Sequence, residues 1–297
     1  MTPGSLLLIF RQTFGHGLRA AYYRDVVRPR ILRTPPITGT TDKTCEIHVL
    51  TCASDWLNLV WVLKSFYAAS GKRYALCIHE DGSLEPEQIK TLAAHFPDAR
   101  IITRKIADEI ILPMLQKFPR CLELRRTKFI SFKEFDFPAL AKSERLLYLD
   151  SDILFFTIPE ALIQRIENSE YKLNTFNGDE QTAYSIEPAV LEKLIGFGML
   201  ERINSGLGLV QRQSVNWEWI EEFLNLPGML DHPWRFEQTL LALCSCRYGV
   251  ELLPKEYDVH LTGGIDGTPC RHYVGTIRHL FYGEGIHRLL KNGILRN

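Results

Sequence analysis

The chain has 297 residues, of which 45% are hydrophobic and 24% charged, a composition that suits an ordinary globular protein with one large core. Its formal net charge is zero, which excludes the overall basicity that draws proteins onto nucleic acids. No apolar run reaches the roughly 20 residues that a transmembrane helix needs, and residues 6–10 are also too few for a signal-peptide core. The seven cysteines, an odd number, indicate free thiols in a reducing compartment, so we expect a cytoplasmic protein.

Residues 1–36 are rich in arginine and also carry leucine, phenylalanine and tyrosine. Two interpretations are open: a peripheral contact with the anionic inner face of a membrane, or a solvated extension packed on the domain. The second is the simpler. Residues 33–43 contain two prolines and a glycine and have the composition of a linker. We therefore divide the chain into a basic N-terminal extension with its linker, residues 1–42, and a single domain, residues 43–297.

Strand and helix patterns alternate after this linker. They predict a strand at 46–53, a buried helix from an N-cap at Ser54 to residue 70, a strand at 74–79, a helix at 86–96 and a strand at 100–103. This βαβαβ order is typical of a parallel sheet. Thr51, Ser54 and Asp81 stand at strand ends, where they could contact a base or ribose, although a turn or capping role fits each equally well.

Two further helical patterns, at 106–117 and 128–135, precede a segment at 145–156 that predicts a hydrophobic strand interrupted by Asp150 and Asp152. On an extended chain, side chains two residues apart point the same way, and open α/β sheets bind ligands at strand ends. Two carboxylates there need a compensating cation. That cation is a divalent ion such as Mn²⁺ or Mg²⁺ or, as the alternative, a nearby arginine or lysine.

The later part of the chain continues the same domain. We predict a strand at 203–211, helices at 214–226 and 236–246, a strand at 251–253 and a glycine-rich loop at 260–269. His272 offers an imidazole that could complete a Mn²⁺-type site of mixed oxygen and nitrogen ligands. Gly275 lets the backbone approach a phosphate closely, and Arg278 can donate forked hydrogen bonds to phosphate oxygens. Together these residues predict a diphosphate clamp.

Several motifs follow one another in a specific order. They are Thr127-Lys128-Phe129, Leu149-Asp150-Ser151-Asp152-Ile153-Leu154, Asn204-Ser205-Gly206, Glu237-Gln238, Leu253-Pro254 with Tyr257, and His272-Tyr273-Val274-Gly275 with Arg278. In content and order they resemble glycogenin and the bacterial lipopolysaccharide galactosyltransferases, retaining members of the GT-A glycosyltransferase superfamily. The chain departs from the pattern where Glu237 replaces aspartate, Arg278 replaces lysine, and His279-Leu280 replaces Pro-Trp.

This resemblance implies an α/β fold of the GT-A type, a Rossmann-like mixed sheet flanked by helices in a single domain. It implies that Asp150, Asp152 and His272 bind the metal ion. It places the expected catalytic positions, Glu237, Gln238 and Asn204, near the donor sugar. With the two strand-end residues included, the positions expected to bind the donor are Lys128, Gly206, Gly275, Arg278, Thr51 and Asp81.

The activity that the resemblance implies is transfer of a sugar from a nucleotide diphosphate donor to a glycan, lipid-linked or protein acceptor. UDP is the family's usual carrier, and retention of stereochemistry is its usual outcome, although the sequence itself does not decide the stereochemistry. Negative charge grows on the departing diphosphate, and the metal ion with Lys128 and Arg278 is expected to stabilise it.

Three alternatives stay open. A haloacid-dehalogenase-type phosphatase also uses Asp-x-Asp after a hydrophobic strand, with Asp150 as nucleophile and Asp152 as acid, but such enzymes normally begin with that strand. A zinc site of Cys244, Cys246, Cys270 and His272 would indicate a structural module, but residues two apart on a helix diverge by ~200°. A catalytically silent protein that binds nucleotide sugars is the non-enzymatic alternative.

Overall fold

The computed structural model describes residues 15–295, which form a mixed seven-stranded sheet, a small two-stranded sheet and surrounding helices. The strands are β1 (Asp42–Thr51), β2 (Tyr74–Glu80), β3 (Arg100–Ile102), β4 (Arg145–Leu149), β5 (Ile153–Phe155), β6 (Asn174–Gly178), β7 (Ile203–Gln211), β8 (Val250–Leu252) and β9 (Cys270–His272). The α-helices are α1 (Gly17–Tyr22), α2 (Trp56–Ser70), α3 (Pro86–His95), α4 (Arg104–Met114), α5 (Pro119–Thr127), α6 (Phe132–Leu140), α7 (Glu160–Glu167), α8 (Pro188–Ile195), α9 (Trp217–Phe223), α10 (Arg235–Tyr248), α11 (Arg278–Leu280) and α12 (His287–Lys291). Within the described residues, none of these helices combines the length and apolarity needed to cross a bilayer.

The large sheet has the order β3-β2-β1-β4-β7-β6-β8. Strands β1 to β4 run parallel to one another, as the βαβαβ pattern predicts, whereas β7 is antiparallel to both of its neighbours, β4 and β6. The sheet is therefore mixed, and the predicted fold class is confirmed. The carboxyl ends of β1, β2 and β4 lie along one edge, which is where sheets of this kind bind ligands.

Each face of the sheet carries its own layer of apolar side chains. Along β4, Leu147 and Leu149 pack into the core that contains α2, whereas Leu146 and Tyr148 pack into the core that contains α10, because successive side chains of a strand point to opposite faces. The two cores hold the sheet between helical layers. Its edge, rather than its faces, is therefore available for a ligand.

The second half of the basic N-terminal segment packs on the domain. Residues 17–33 form one helical stretch that passes from α to π to 3₁₀ geometry. Val27 and Ile31 are buried in the core beside α2, and the Trp61 indole donates a 2.9 Å hydrogen bond to the Arg28 carbonyl. The apolar run at residues 6–10 lies outside the described residues.

The predicted single strand at 145–156 is wrong, because the structure divides it into two strands in different sheets. β4 ends at Leu149, the chain turns through Asp150 and Asp152, and β5 pairs with β9 so that Ile153 faces His272. Both halves are apolar since both are buried, so hydrophobicity alone could not reveal the change of sheet. The turn between the two strands therefore carries both carboxylates.

Two local predictions also need correction. The predicted helix at 128–135 is helical only from Phe132, where α6 begins, because residues 128–131 form a break after α5 with a 3₁₀ turn at Phe129–Ser131. Ser54 does not cap α2: the cap position is Asp55, without a side-chain cap, and the Ser54 hydroxyl lies 3.1 Å from the Cys52 thiol. The sequence patterns also missed the strands β6 and β9 and the helices α5, α7 and α8.

Candidate functional site

A pocket opens at the carboxyl ends of β1, β2 and β4. Thr51 closes β1, Asp81 follows β2, and the turn after β4 contributes Asp150 and Asp152, while Lys133 reaches in from α6. The full lining comprises Leu50, Thr51, Cys52, Asp55, Asp81, Phe129, Ile130, Lys133, Asp150, Ser151, Asp152 and Arg278. The parallel strands that end together therefore line the base of the pocket with carboxylates, which we call the acidic floor. Apolar side chains form part of the pocket wall above it.

Asp150, Asp152 and His272 come together at this floor. One ligand atom of each lies within 4.8 Å of the others. His272 Nε2 is 3.0 Å from Asp152 Oδ1 and 3.8 Å from Asp150 Oδ2. The pairing of β5 with β9 explains this proximity, because it sets His272 opposite Ile153. Carboxylate oxygens with one imidazole nitrogen form a donor set that suits Mn²⁺ or Mg²⁺.

A hydrogen bond from β7 orients the His272 ring. Its Nδ1 is 2.9 Å from Asn204 Oδ1, an oxygen that also accepts from the Gly206 amide. Since an amide oxygen can only accept, Nδ1 must carry a proton and donate it. In the neutral ring, Nε2 then holds the free lone pair, and it faces the two carboxylates. This is the outer hydrogen bond that commonly fixes a metal-binding histidine.

Two cations, the buried Lys133 and the partly exposed Arg278, compensate part of the negative charge. Arg278 contacts Asp152 at 2.8 Å and Asp55 at 3.1 Å, and Lys133 contacts Asp150 at 2.7 Å. Ion pairs with arginine or lysine, the alternative to a metal, are therefore present. They do not balance the pocket, because its lining holds four carboxylates and only two such cations. The remaining negative charge fits a divalent cation.

Electrostatic interactions within the acidic floor shift the pKa values of Asp152 and His272. Burial favours a raised pKa for Asp152, but His272 and Arg278 outweigh it and hold that pKa at about 2. Burial lowers the pKa of His272, yet the neighbouring carboxylates outweigh it and raise that pKa above its usual value. An Asp152 that stays ionised is unsuited to donate a proton, which argues against the phosphatase alternative.

A second acidic residue shares the lysine of the floor. The Lys133 ammonium lies 3.3 Å from Glu237 Oε1, and the Ser205 hydroxyl donates to Glu237 Oε2 at 2.9 Å. Burial raises the pKa of Glu237, with Lys133 opposing the rise. Burial also acts to lower the pKa of Lys133, but Asp150 and Glu237 outweigh it and raise that pKa. Lys133 therefore stays charged between two carboxylates.

The other expected catalytic positions meet at one carboxylate. Asn204 Nδ2 donates to Asp179 Oδ2 at 3.2 Å, and Gln238 Nε2 approaches the same oxygen at 3.4 Å. Gln238 follows Glu237 in the first turn of α10, and Asn204 belongs to β7. The predicted residues Asn204, Glu237 and Gln238 are thus brought together with the cluster of Asp150, Asp152 and His272. Asp179 belongs to none of the sequence motifs and was missed as a residue of the site.

The structure brings Lys133 into the pocket rather than Lys128. Lys128 directly follows α5, is exposed, and does not line the pocket. Lys133 is 5% exposed and contacts Asp150. A signal for Lys133 was available, because the run Phe132 to Phe137 interleaves three charges with phenylalanines. Charges within a buried helix need partners of their own.

The two expected donor-binding glycines differ in their surroundings. A Cβ on Gly206 would lie 2.7 Å from His272 Nδ1 and 3.0 Å from Asn204 Oδ1, whereas one on Gly275 would meet nothing within 4 Å. Gly206 therefore makes room for the His272 ring. Gly275 does not line the pocket, and nothing in its immediate packing requires a glycine.

A second group of ligand-type side chains lies inside the sheet. His48, Cys77 and His79 cluster between β1 and β2, where His48 Nδ1 is 3.0 Å from His79 Nε2 and His48 Nε2 is 3.2 Å from Glu46. Burial lowers the pKa of both histidines. We interpret this group as a hydrogen-bonded core network. Within residues 15–295, Cys244, Cys246 and Cys270 form no metal-binding group with His272, so the zinc alternative has no support.

By sequence, the chain matches no protein-family model and no curated protein. By structure, it is similar to mouse xyloside xylosyltransferase 1, with a TM-score of 0.54, 9% identity, and coverage of 78% of this chain and 98% of that one. The galactosyltransferase LgtC, solved with donor and acceptor sugar analogues, gives a TM-score of 0.51 at 13% identity, covering 84% and 95%. The S. cerevisiae mannosyltransferase Ktr4p gives 0.50 at 11% identity, covering 80% and 78%.

These structures share an architecture with the chain. Their sequence identities are too low for their substrates to be assigned to it. The agreement extends over most of each protein, and it includes the mixed sheet whose carboxyl edge bears the acidic cluster. The chain is therefore a protein of the GT-A glycosyltransferase fold.

Proposed function

We propose that the chain is a metal-dependent glycosyltransferase that uses a nucleotide diphosphate sugar as donor. The observation that carries this proposal is the convergence of Asp150, Asp152 and His272 at the carboxyl edge of a GT-A sheet. These residues would hold Mn²⁺ or Mg²⁺, which supplies Lewis-acid stabilisation of the charge that develops on a leaving diphosphate. The fold and the donor set are mutually consistent, since each favours a bound diphosphate at the same edge.

The cations of the pocket would bind the diphosphate beside that ion. Arg278 can turn a guanidinium fork toward phosphate oxygens, and it already stands against Asp152 and Asp55. Lys133, rather than Lys128, would supply the second cation. Both side chains are held by carboxylates before any donor arrives, so their charges are positioned in advance where negative charge develops.

Thr51 and Asp81 are the residues we assign to the nucleoside. Both line the pocket, and Thr51 Oγ1 is a buried polar atom without a hydrogen-bond partner in the described part of the chain. A ribose hydroxyl or a base edge could satisfy that atom. A cavity of about 150 Å³ is smaller than the few hundred Å³ typical of ligand sites. A bound donor would therefore also extend along the open mouth of the pocket.

Glu237, Gln238 and Asn204 are the residues we place around the anomeric carbon. Glu237 is held by Lys133 and Ser205, so it would present its carboxylate to developing positive charge on the sugar. UDP as the carrier and retention of stereochemistry stay predictions that rest on the family resemblance. The class of acceptor, whether glycan, lipid-linked or protein, is likewise a prediction, as is a cytoplasmic location.

Thermal unfolding with Mn²⁺ and a panel of nucleoside diphosphates tests the proposal, because a ligand that binds only the folded state raises its stability. We expect one nucleotide to raise the melting temperature of the unaltered protein only when Mn²⁺ is present. Asp152→Asn keeps the shape of the side chain and removes its charge, so the shift should be lost.

The matched control is Asp231→Asn, which makes the same change at an exposed position outside the pocket lining and should retain the shift. If no nucleotide stabilises the unaltered protein with Mn²⁺ or Mg²⁺, the donor assignment fails. If a nucleotide stabilises Asp152→Asn as strongly as the unaltered protein, the chain binds nucleotides without using this acidic centre, and the metal assignment fails.

A further inference from the structure

A cleft of about 390 Å³ lies between the N-terminal helical segment and the last helices of the chain. Its walls are contributed by α1, by the loop at 260–269 and by residues 279–291. The cleft is separate from the donor pocket, since the two linings have no residue in common. They are nevertheless adjacent in sequence, because Arg278 belongs to the pocket and His279 to the cleft.

Positive charge in this cleft is largely uncompensated. Arg19, Arg288 and Lys291 line it, and the one acid in the lining, Glu284, is engaged by Arg271 at 3.0 Å. Within residues 15–295, Arg19 and Lys291 form no ion pair, and the one acid near Arg288 is 4.0 Å away and almost fully exposed. Three cations near one concave surface repel one another and attract an anion.

Imidazole groups extend this basic surface. His16, His279 and His287 also line the cleft. The rings of His16 and His279 stack at a centroid distance of 4.3 Å, and His279 Nδ1 is a buried nitrogen without a hydrogen-bond partner in the described residues. An anion with several oxygens could accept from such nitrogens as well as from the three cations. A phosphate group has that chemistry.

An apolar stripe lies beside the cleft on the same helical segment. Leu18, Tyr22 and Val26 are 74%, 49% and 48% exposed and recur at four-residue intervals, so they lie on one face of successive turns. Arg19 is about 100° from Leu18 around the helix axis and lines the cleft. A basic cleft flanked by an exposed apolar face is the arrangement with which helices lie in the interface of an anionic membrane.

We propose that this cleft binds the phosphate of an anionic phospholipid, with Leu18, Tyr22 and Val26 entering the boundary between headgroups and acyl chains. Charge complementarity favours a lipid phosphate, and the adjoining apolar stripe favours a membrane over a phosphate in solution. Such binding would hold the domain at a membrane surface. It does not depend on the transferase activity, because it involves no residue of the donor pocket.

Co-sedimentation of the full chain with vesicles tests this assignment. We expect binding to vesicles of phosphatidylcholine mixed with phosphatidylglycerol, little binding to phosphatidylcholine alone, and a decrease with rising salt. Arg288→Gln with Lys291→Gln should weaken binding about thirtyfold. The control is Lys90→Gln with Lys193→Gln, which removes the same charge from exposed helical positions elsewhere and should change binding only slightly.

A second pair of variants tests the apolar stripe. Leu18→Ser with Val26→Ser should weaken vesicle binding about tenfold. The same change at Ile106 and Ile110, each 43% exposed on α4, should leave it unaltered. Equal loss in the cleft variant and its control, or no preference for phosphatidylglycerol, would overturn the proposal. Stabilisation by inorganic phosphate without any vesicle binding would also overturn it, since the cleft would then take a free phosphate.

Discussion

The donor pocket has an excess of negative charge and the basic cleft an excess of positive charge, although the adjacent residues 278 and 279 line one each. In the pocket, four carboxylates exceed two cations, and both cations are already paired with carboxylates. In the cleft, three cations surround one acid that is paired elsewhere. We propose that the first arrangement binds a metal ion and, through it, a diphosphate, and that the second binds an anion directly.

This contrast shows why the overall charge composition predicts neither site. The formal net charge is zero, because the acidic excess of one region offsets basic excess elsewhere. Charge acts over short distances in salt solution, with a screening length of about 8 Å at physiological ionic strength. Local imbalance therefore decides what each region binds. Variants that alter one region and leave the other intact test the comparison directly.

The largest effect is expected from Asp152→Asn. It removes a ligand from the metal cluster and a partner from Arg278, so sugar transfer from the donor identified by thermal shift should fall about 10³-fold or more. Initial rates at saturating Mn²⁺ and donor measure this. Vesicle binding by the same variant should be unchanged. A variant that retains near-normal turnover would show that the acidic turn is not the metal centre.

Lys133→Met should have the next largest effect, on stability. It leaves the buried Glu237 and the partly exposed Asp150 without their shared cation, which should lower the free energy of unfolding by about 3 kcal/mol. Mn²⁺ should restore part of this loss because it returns positive charge beside Asp150. Chemical denaturation with and without Mn²⁺ measures both quantities. Lys128→Met is the matched control, and a loss of stability there instead of at Lys133 would contradict our assignment.

Gly206→Ala tests the space that the His272 ring occupies. The added methyl would displace the ring or Asn204, at a cost of about 2 kcal/mol in overpacking, and Mn²⁺ should stabilise this variant less than the unaltered protein. Gly275→Ala adds the same methyl in open space and should retain the Mn²⁺ response. If the two variants respond equally to Mn²⁺, His272 is not a ligand of the metal.

The smallest effect concerns pH, and its sign should differ between the two regions. The pKa of His272 is raised by its carboxylates against the effect of burial, so protons compete with Mn²⁺, and stabilisation by Mn²⁺ should decline on acidification, beginning above the pH at which an ordinary histidine gains its proton. In the cleft, burial together with nearby His16, Arg19 and Lys291 lowers the pKa of His279 and His287.

The two cleft histidines are therefore neutral at pH 7 and gain protons only as the pH falls below the ordinary histidine range. Each added proton increases the positive charge, so binding to phosphatidylglycerol vesicles should strengthen severalfold at pH values below the interval in which the Mn²⁺ effect weakens. Measuring both effects across one pH series compares the regions directly. Vesicle binding that weakens on acidification would contradict the assigned charge pattern.

Much of the fold was predictable because each strand and helix has its own hydrophobic pattern in the local sequence. The pattern from β1 to β3 follows from buried strands separated by amphipathic or buried helices, and the observed bounds differ by only a few residues. Asp150 and Asp152 were recognisable as candidate ligands because two carboxylates stand out in a hydrophobic segment. Asn204, Glu237 and Gln238 were identified through the order of motifs, and the structure brings them together.

Other features depended on contacts between distant segments. Hydrophobicity could not show that β5 leaves the large sheet for β9, because strands buried in either sheet have the same local pattern. That pairing alone sets His272 beside the acidic turn. The choice of Lys133 over Lys128 likewise depended on where α5 ends and α6 begins, since a displacement of five residues decides which lysine enters the pocket.

By itself, the sequence determined the α/β class, the acidic pair Asp150 and Asp152 and the set of motif residues, because burial periodicity and residue chemistry are local properties. The tertiary structure alone decided which buried elements meet. It joined His272 to the carboxylates through β9, supplied Lys133 as their cation, and set α1 against the last helices to form the basic cleft. Long-range pairing depends on the whole chain, so no local pattern records it.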